Sequence, residues 1–375
     1  MNRRDFLTLS ATGIVGLGLS SFPLSALARG KGGKEYSVIL LGDTHFDVDP
    51  PSVYHADYLN KDAEKISKAR VAEFARNGEM WKDRCPRLLR RANLLVEDNT
   101  KMVLQMGDLI QGDCDNAETH KKMLSDAMGR IKGEFGELPF VTVVGNHDIR
   151  GIDAKETYHQ YMPTRMSEEL KKSVSKTTFG FNIGDDAYIA IDFNDPDDAE
   201  IERLLDETKG ARHTFIMTHG PVFPADISSC RWIFHGGASA AETEARRHFR
   251  QAFAKRNAIV LCGHIHTTDF MDWHGDGGRI TQMTMSSVWT SEKQKKYEVR
   301  SEGAENYGML RENRRQKGED LKDECALFDE YRPGIRQHTN STSQGCYKLN
   351  VGRKHVTIDF YAGDSQELSH QFVVR

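Results

Sequence analysis

Residues Pro139 to Asp148 read Pro-Phe-Val-Thr-Val-Val-Gly-Asn-His-Asp, an uncharged β-branched run that stops at a glycine and turns at once polar. Val141 to Val144 carry the pattern of a strand buried on both faces. Gly145 lacks a Cβ, so the backbone can turn sharply or approach a ligand closely there. Asn146, His147 and Asp148 then fall at the strand's carboxyl edge, where open α/β sheets hold their ligands. The same arrangement recurs four times. Val38 to Leu41 run into Gly42-Asp43-Thr44-His45, and Met102 to Met106 into Gly107-Asp108. Thr214 to Met217 run into Thr218-His219-Gly220, and Ala258 to Leu261 lead to Gly263-His264-Ile265-His266.

Helical patterns separate these strands, which argues an α/β fold. Leu88, Leu89, Ala92, Leu95 and Val96 lie on one helical face, and Ala117 to Lys132 read as a further helix. The helix near Glu242 to Arg256 is expected to bury Ala245, Phe249, Ala252 and Phe253. Thr177 to Ile183 and Ala187 to Asp192 suggest a hairpin about Gly184-Asp185. Phe46 to about Asn60 is expected as a loop. Residues 291 to 344 carry many charges, few aliphatic side chains and no sustained period. They are expected as a solvated insertion, with a lid over the site as the sharper reading. Three strand-like runs, 347–351, 356–361 and 371–374, close the chain.

With 375 residues the chain has room for a sizeable core. Its formal net charge of -4 offers no nucleic-acid-binding footprint. Six cysteines in such a length do not make a disulfide scaffold. Asn2-Arg3-Arg4-Asp5-Phe6-Leu7 resembles a twin-arginine export signal. A short apolar stretch from Ile14 to Leu19 and a small-residue cleavage site at Ala26-Leu27-Ala28 follow it. That stretch falls short of the ~20 residues that span a bilayer. Residues 1–28 are therefore set aside as a signal peptide. The chain is expected to engage the twin-arginine export machinery as a precursor and to leave the cytoplasm folded, for the periplasm or the exterior.

At the five strand ends stand Asp43 and His45, Asp108, Asn146 and His147, His219, and His264 and His266. A single buried His or Asp is more often a satisfied core residue than a ligand. Five together at strand ends point to one site. Imidazole nitrogens and carboxylate oxygens without a thiolate suit catalytic zinc, iron or manganese rather than a structural zinc site. Asp43 and His45, like His264 and His266, are two residues apart, so in an extended segment both can face one cluster. Cys262 reads as a buried structural thiol.

The order Asp-x-His, Gly-Asp, Gly-Asn-His-Asp, His, Gly-His-x-His resembles the calcineurin-like metallophosphoesterase superfamily, from about Val38 to Thr290. The resemblance implies a four-layer α/β/β/α sandwich with a dinuclear metal centre at strand carboxyl ends. It implies a catalytic core over 36–290, interrupted by the charged stretch 291–344 and completed by strands in 345–375. Two divalent ions (Mn, Fe or Zn) would be held by Asp43, His45 and His266, and by Asn146, His219 and His264, with Asp108 bridging. His147 would touch the substrate, and Asp148 would orient it. A metal-bridging hydroxide would attack phosphorus in line with the leaving oxygen, which His147 would protonate.

Subfamily marks narrow this. After Gly107-Asp108 come Leu109, Ile110 and Gln111. The Asp-Arg-Gly continuation of the protein serine/threonine phosphatases is missing, and so is the iron-binding tyrosine of purple acid phosphatases. The expected activity is hydrolysis of a small-molecule phosphate ester, a phosphodiester by preference. An exported phosphomonoesterase and a non-catalytic binding scaffold are the alternatives. Near the strand tips Arg150 reads as an exposed loop residue and Arg231 as more remote. Tyr54, Tyr58, Phe223, Trp232 and Phe234 are candidates to wall a cleft.

Overall fold

Two mixed sheets lie face to face in the computed structural model, which describes residues 35–60, 68–225, 229–288, 296–308 and 320–375. The export signal lies outside the described residues. Among them, no helix is long and apolar enough to cross a membrane.

The first sheet has β1 (Tyr36–Leu41) near its middle. On one side of it run β2 (Thr100–Gln105) and β3 (Phe140–Thr142), parallel to it and to each other. On the other side lie the antiparallel strands β12 (Gly345–Val351), β13 (Val356–Ala362) and β14 (His370–Val373), the three expected closing runs. The second sheet is built on β5 (Asp186–Ile191), β6 (Thr214–Thr218) and β7 (Ile259–Cys262), again parallel. The hairpin partner β4 (Phe179–Ile183) forms one edge. A further hairpin, β8 (Thr268–Gly275) and β9 (Gly278–Thr284), extends the other side, with β9 parallel to β7.

Side chains on the second sheet alternate between two cores, as a period of two requires. Tyr188, Ala190, Phe215, Met217, Ile259 and Leu261 face the first sheet. Ile189, Ile191, Ile216, Val260 and Cys262 face outward, against helices. Those helices include α6 (Asp198–Glu207), on β4 and β5, and α7 (Ala240–Lys255), on β8 and β9. The outer face of the first sheet is covered by α3 (Arg84–Asn93), α4 (Ala117–Phe135) and α5 (Ala154–Leu170). The result is the four-layer sandwich that the resemblance implied. On α7, Phe249 and Phe253 are buried as expected, but Ala245 and Ala252 are only partly so. Arg246 is buried in that face instead, because its Nη1 donates to the His235 carbonyl at 2.7 Å.

Two segments differ from expectation. The stretch after Phe46 is not all loop. Beyond Pro50-Pro51 the chain winds into α1 (Ser52–Asn60), followed by α2 (Lys68–Lys82). The charged stretch 291–344 contributes to the sheet itself, with β10 (Val299–Glu302) and β11 (Ile335–Ser341). Strand β11 pairs with β8 from Ile335 opposite Trp273 to Ser341 opposite Thr268. Tyr307, Phe328 and Tyr331 of the same stretch enter the outer core, the last two from α8 (Lys322–Tyr331). The sequence of β11, Ile-Arg-Gln-His-Thr-Asn-Ser, hides this role. Its deeply buried side chains include His338, Asn340 and Ser341, so no apolar period marks it.

Candidate metal centre

The carboxyl ends of β1, β2 and β3 in one sheet meet those of β6 and β7 in the other. Backbone amides stitch the meeting point together. The amide of His264 donates to Asp43 Oδ1 at 3.0 Å, and that of His147 to Asp108 Oδ1 at 2.8 Å. Each carboxylate is thus tied by one oxygen to a neighbouring strand tip, and its other oxygen turns to the histidines. Glycines make this approach possible. A Cβ on Gly145 would lie 2.0 Å from the Asp108 nitrogen, and one on Gly263 would lie 2.3 Å from Asp43 Oδ1. His45, Asp108, His264 and His266 all adopt positive φ, between 39° and 73°. A non-glycine residue is seldom found there, and such strain collects at functional sites where surrounding structure holds it.

Three groups of ligand atoms result: Asp43, His45 and His266; His45, Asp108 and His147; and Asp108, His219 and His264. Within each group one donor atom per residue lies within 4.8 Å of the others. Asp43 Oδ2 is 2.9 Å from His266 Nε2 and 3.8 Å from His45 Nε2. Asp108 Oδ2 stands between the two halves, 3.7 Å from His45 Nε2 and 3.2 Å from His219 Nε2. His219 Nε2 also lies 3.2 Å from Asn146 Oδ1 and 3.1 Å from His264 Nδ1. His219 Nδ1 donates to the Met106 carbonyl at 2.7 Å, which leaves Nε2 to face the cluster. A carbonyl behind an imidazole in this way fixes the ring for metal binding. All seven expected ligands are therefore brought together.

The electrostatics of the cluster call for cations. Burial works against the His219 imidazolium, but Asp108 and Asp43 outweigh it and push its pKa up to about 9. His266 is raised against the same opposition from burial, chiefly by Asp43. Burial and the neighbouring His219 push His264 down to about 3. Two buried carboxylates thus hold positive charge among crowded imidazoles. Divalent ions fit this oxygen and nitrogen donor set.

His147 lies beside the cluster, its ring 4.4 Å from that of His45. The expected contact from Asp148 to His147 is not formed. Asp148 is fully buried, and its carboxylate accepts the backbone amides of Ile110 at 3.0 Å and Gly145 at 2.8 Å. Those amides would otherwise be unsatisfied at the turn, so the carboxylate braces the loop. Burial pushes its pKa up to about 8. The partner of His147 Nδ1 is the Gln111 carbonyl at 3.1 Å, and Arg150 Nη1 lies 3.2 Å from Nε2. Arg150 is held rather than exposed. It pairs with Asp113 at 2.7 Å and Glu73 at 3.7 Å. The Gln111 carbonyl and Asp113 were missed from the sequence, because only the folded loops bring them to His147 and Arg150.

Of the aromatic candidates, Tyr54, Phe223 and Phe234 are buried in the cores. Trp232 is 49% exposed, with its ring 5.3 Å from that of His264. Phe193, not singled out in the sequence, lies 5.5 Å from His219 and 6.0 Å from His264. The side chains of Tyr58 and Arg231 lie outside the described residues. Cys262 is buried, with Sγ 3.2 Å from Thr284 Oγ1, and burial pushes its thiol up. All six cysteines are free.

Comparison with solved structures finds similar chains of very different sequence. The structure of PhoD matches with a TM-score of 0.52 and 11% identity, over 92% of this chain and 70% of that one. GAP50, titled the anchor in the inner membrane complex of Plasmodium, matches at 0.47 and 12%, over 90% and 88%. The purple acid phosphatase PPD1 from yellow lupin matches at 0.46 and 10%, over 91% and 54%. At 11% identity the likeness to PhoD shows a shared fold alone. A comparison with curated protein sequences gave no match. The family model described as calcineurin-like phosphoesterase matches residues 36–268, which hold all five strand ends, and with the Asp and His cluster at those ends the chain belongs to that family.

Proposed function

We propose that this chain hydrolyses phosphodiesters, with a small organic group on the second ester oxygen. The observation that supports this reading is Trp232, a large apolar ring kept half in solvent beside His264, with Phe193 behind the same histidine. An indole in that position offers a flat surface to an aryl group or nucleobase on the ester that is not cleaved. A phosphomonoester has no second group to place there.

Asp43, His45 and His266 would hold one divalent ion, and Asn146, His219 and His264 another, with Asp108 between them. Such ions neutralise phosphoryl oxygens and lower the pKa of water towards ~7. The chain's own groups do the rest. The Gln111 carbonyl holds His147 by Nδ1, so Nε2, which accepts from Arg150 Nη1 in this structure, is the atom that would pass a proton to the leaving oxygen once the ring is charged. Burial pushes His147 below its ordinary pKa. Asp148 keeps the turn that carries His147 in place through its two backbone hydrogen bonds.

The test compares kcat/KM for bis-nitrophenyl phosphate, nitrophenyl phosphate and a cyclic nucleotide under one metal condition. The diester is expected to be preferred, and Trp232→Ala to lower its kcat/KM about tenfold, the scale of one aromatic contact. The same change should leave the monoester nearly untouched. A clear preference for the monoester would make the protein a phosphatase instead.

Export by the twin-arginine route belongs to the same proposal. Arg3-Arg4 supports it, and so does a ligand set drawn from strands that must fold before they can hold metal. Folding in the cytoplasm would let metal supply there, rather than affinity order, choose the ion. Replacing both arginines by lysine is expected to strand the precursor inside the cell, as read by fractionation. Undiminished export of that variant would count against the route.

A further inference from the structure

We infer that Arg150 is a ligand of the phosphoryl group, mounted beside His147 by a four-residue ionic cradle. The reading depends on the phosphoester chemistry of the site and not on the diester preference.

The cradle starts at Gly112, whose φ of +71° and missing Cβ let the chain pass close to its neighbours. A Cβ there would lie 2.1 Å from the His147 carbonyl oxygen and 2.9 Å from that of Arg150. The next residue, Asp113, also has positive φ and is buried. Its carboxylate pairs with Arg70 of α2 and, at 2.7 Å, with Arg150 Nη2. Glu73, one turn along α2 from Arg70, adds a second carboxylate 3.7 Å from Arg150 Nη2. The backbone closes the loop from the other side, where the Asp113 amide donates to the Arg150 carbonyl at 2.5 Å and the Arg150 amide to the His147 carbonyl at 3.1 Å. Two arginines and two carboxylates balance, so the quartet is neutral as a whole.

This arrangement commits Nη2 of Arg150 to the cradle and turns Nη1 to the site, where it donates to His147 Nε2. Nη2 carries the ion pairs and reaches the Gln111 carbonyl at 3.4 Å, while Nη1 lies 3.2 Å from His147 Nε2. The buried Nε donates to no described group. Here the Nη1 edge is beside the atom expected to meet the leaving oxygen, and the side chain remains a quarter exposed. A phosphoryl oxygen in contact with His147 would be within reach of that edge. Guanidinium groups suit such oxygens because their donors are planar and permanently charged. The neutral quartet provides a directed donor without surplus positive charge, which fits a monoanionic ester.

The experiment measures inhibition by inorganic phosphate, steady-state constants and thermal melting for Arg150→Ala, Arg150→Lys and Glu73→Gln in the metal-loaded protein. Arg150→Ala is expected to weaken phosphate inhibition roughly tenfold or more, the scale of one charge-assisted hydrogen bond, with kcat/KM falling for monoester and diester alike. Arg150→Lys should recover part of both. Glu73→Gln keeps the guanidinium but removes one of its two carboxylate anchors, and should weaken phosphate inhibition less than Arg150→Ala does. An Arg150→Ala protein with lowered melting temperature but unchanged phosphate inhibition would overturn the assignment and make Arg150 a loop brace. Should Arg150→Ala not fold, Arg150→Lys decides. Phosphate inhibition identical to that of the parent protein would then sink the proposal, and a severalfold loss would support it.

Discussion

Asp108→Asn is expected to lower turnover by at least about 10³-fold, the upper scale for removing one preorganised electrostatic contact, and to reduce bound metal by about one ion per chain. The reason lies in where the carboxylate stands. Its Oδ2 is between His45 and His219, the two halves of the candidate centre, and its Oδ1 is tied to the His147 amide. An amide in its place is nearly the same size, so the fold should persist. It carries no charge, however, and cations on either side would repel one another without it. His219 depends on the same carboxylate, since the Asp108 charge does most to raise its pKa against burial. Elemental analysis beside a hydrolysis assay checks both parts. A variant that keeps full metal content and normal turnover would show that Asp108 does not bridge.

His147→Ala should act differently, with metal retained and turnover down by roughly 10²–10⁴-fold, the range for a positioned acid or base. His147 touches the cluster only at its edge, and its Nδ1 is committed to the Gln111 carbonyl. Its removal takes away the proton at Nε2 and leaves Asp43, His45, Asn146, His219, His264 and His266 in place. The loss should shrink for esters of acidic phenols, whose leaving oxygen needs little protonation. A loss of equal size for alkyl and nitrophenyl leaving groups would assign His147 to phosphate binding alone. Comparison with Arg150→Ala then separates the two neighbours. Arg150 should affect phosphate inhibition with any leaving group, and His147 should affect turnover most where the leaving group is poor.

The difference between Asp148 and Asp108 shows where local sequence stops being informative. Both follow a glycine-ended buried strand, and both are acidic residues at a turn. The carboxylate of Asp108 reaches the histidines because β2 lies beside β1, whose end carries His45, and its tip meets that of β6 in the other sheet, whose end carries His219. Asp148 is turned back against Ile110 and Gly145. No spacing rule distinguishes them, since the outcome rests on which unpaired amides each carboxylate meets first. Strand β11 makes the same point for the fold. Its polar side chains are buried by pairing with β8 and by the aromatic residues of α8 and Tyr307. A search for apolar alternation passes over it.

What the chain's sequence determined by itself is the set of buried strands and the polar residues at their carboxyl ends. Runs such as Val38 to Leu41 are readable because burial on both faces demands unbroken apolar side chains, a purely local condition, whereas the run 141–144 overlaps β3 only at Val141 and Thr142. Glycine beside each tip is local too, since only a missing Cβ admits the close approach seen at Gly145 and Gly263. The tertiary structure alone decided which neighbours those tips acquire. Arg70, Asp113 and Arg150 come from three separate stretches of chain and meet because α2 packs near the loops after β2 and β3. Trp232 and Phe193 reach His264 from loops after β6 and β5. Contacts of this kind depend on how loops converge once the two sheets have closed on each other, and no short-range pattern of residue types records that convergence.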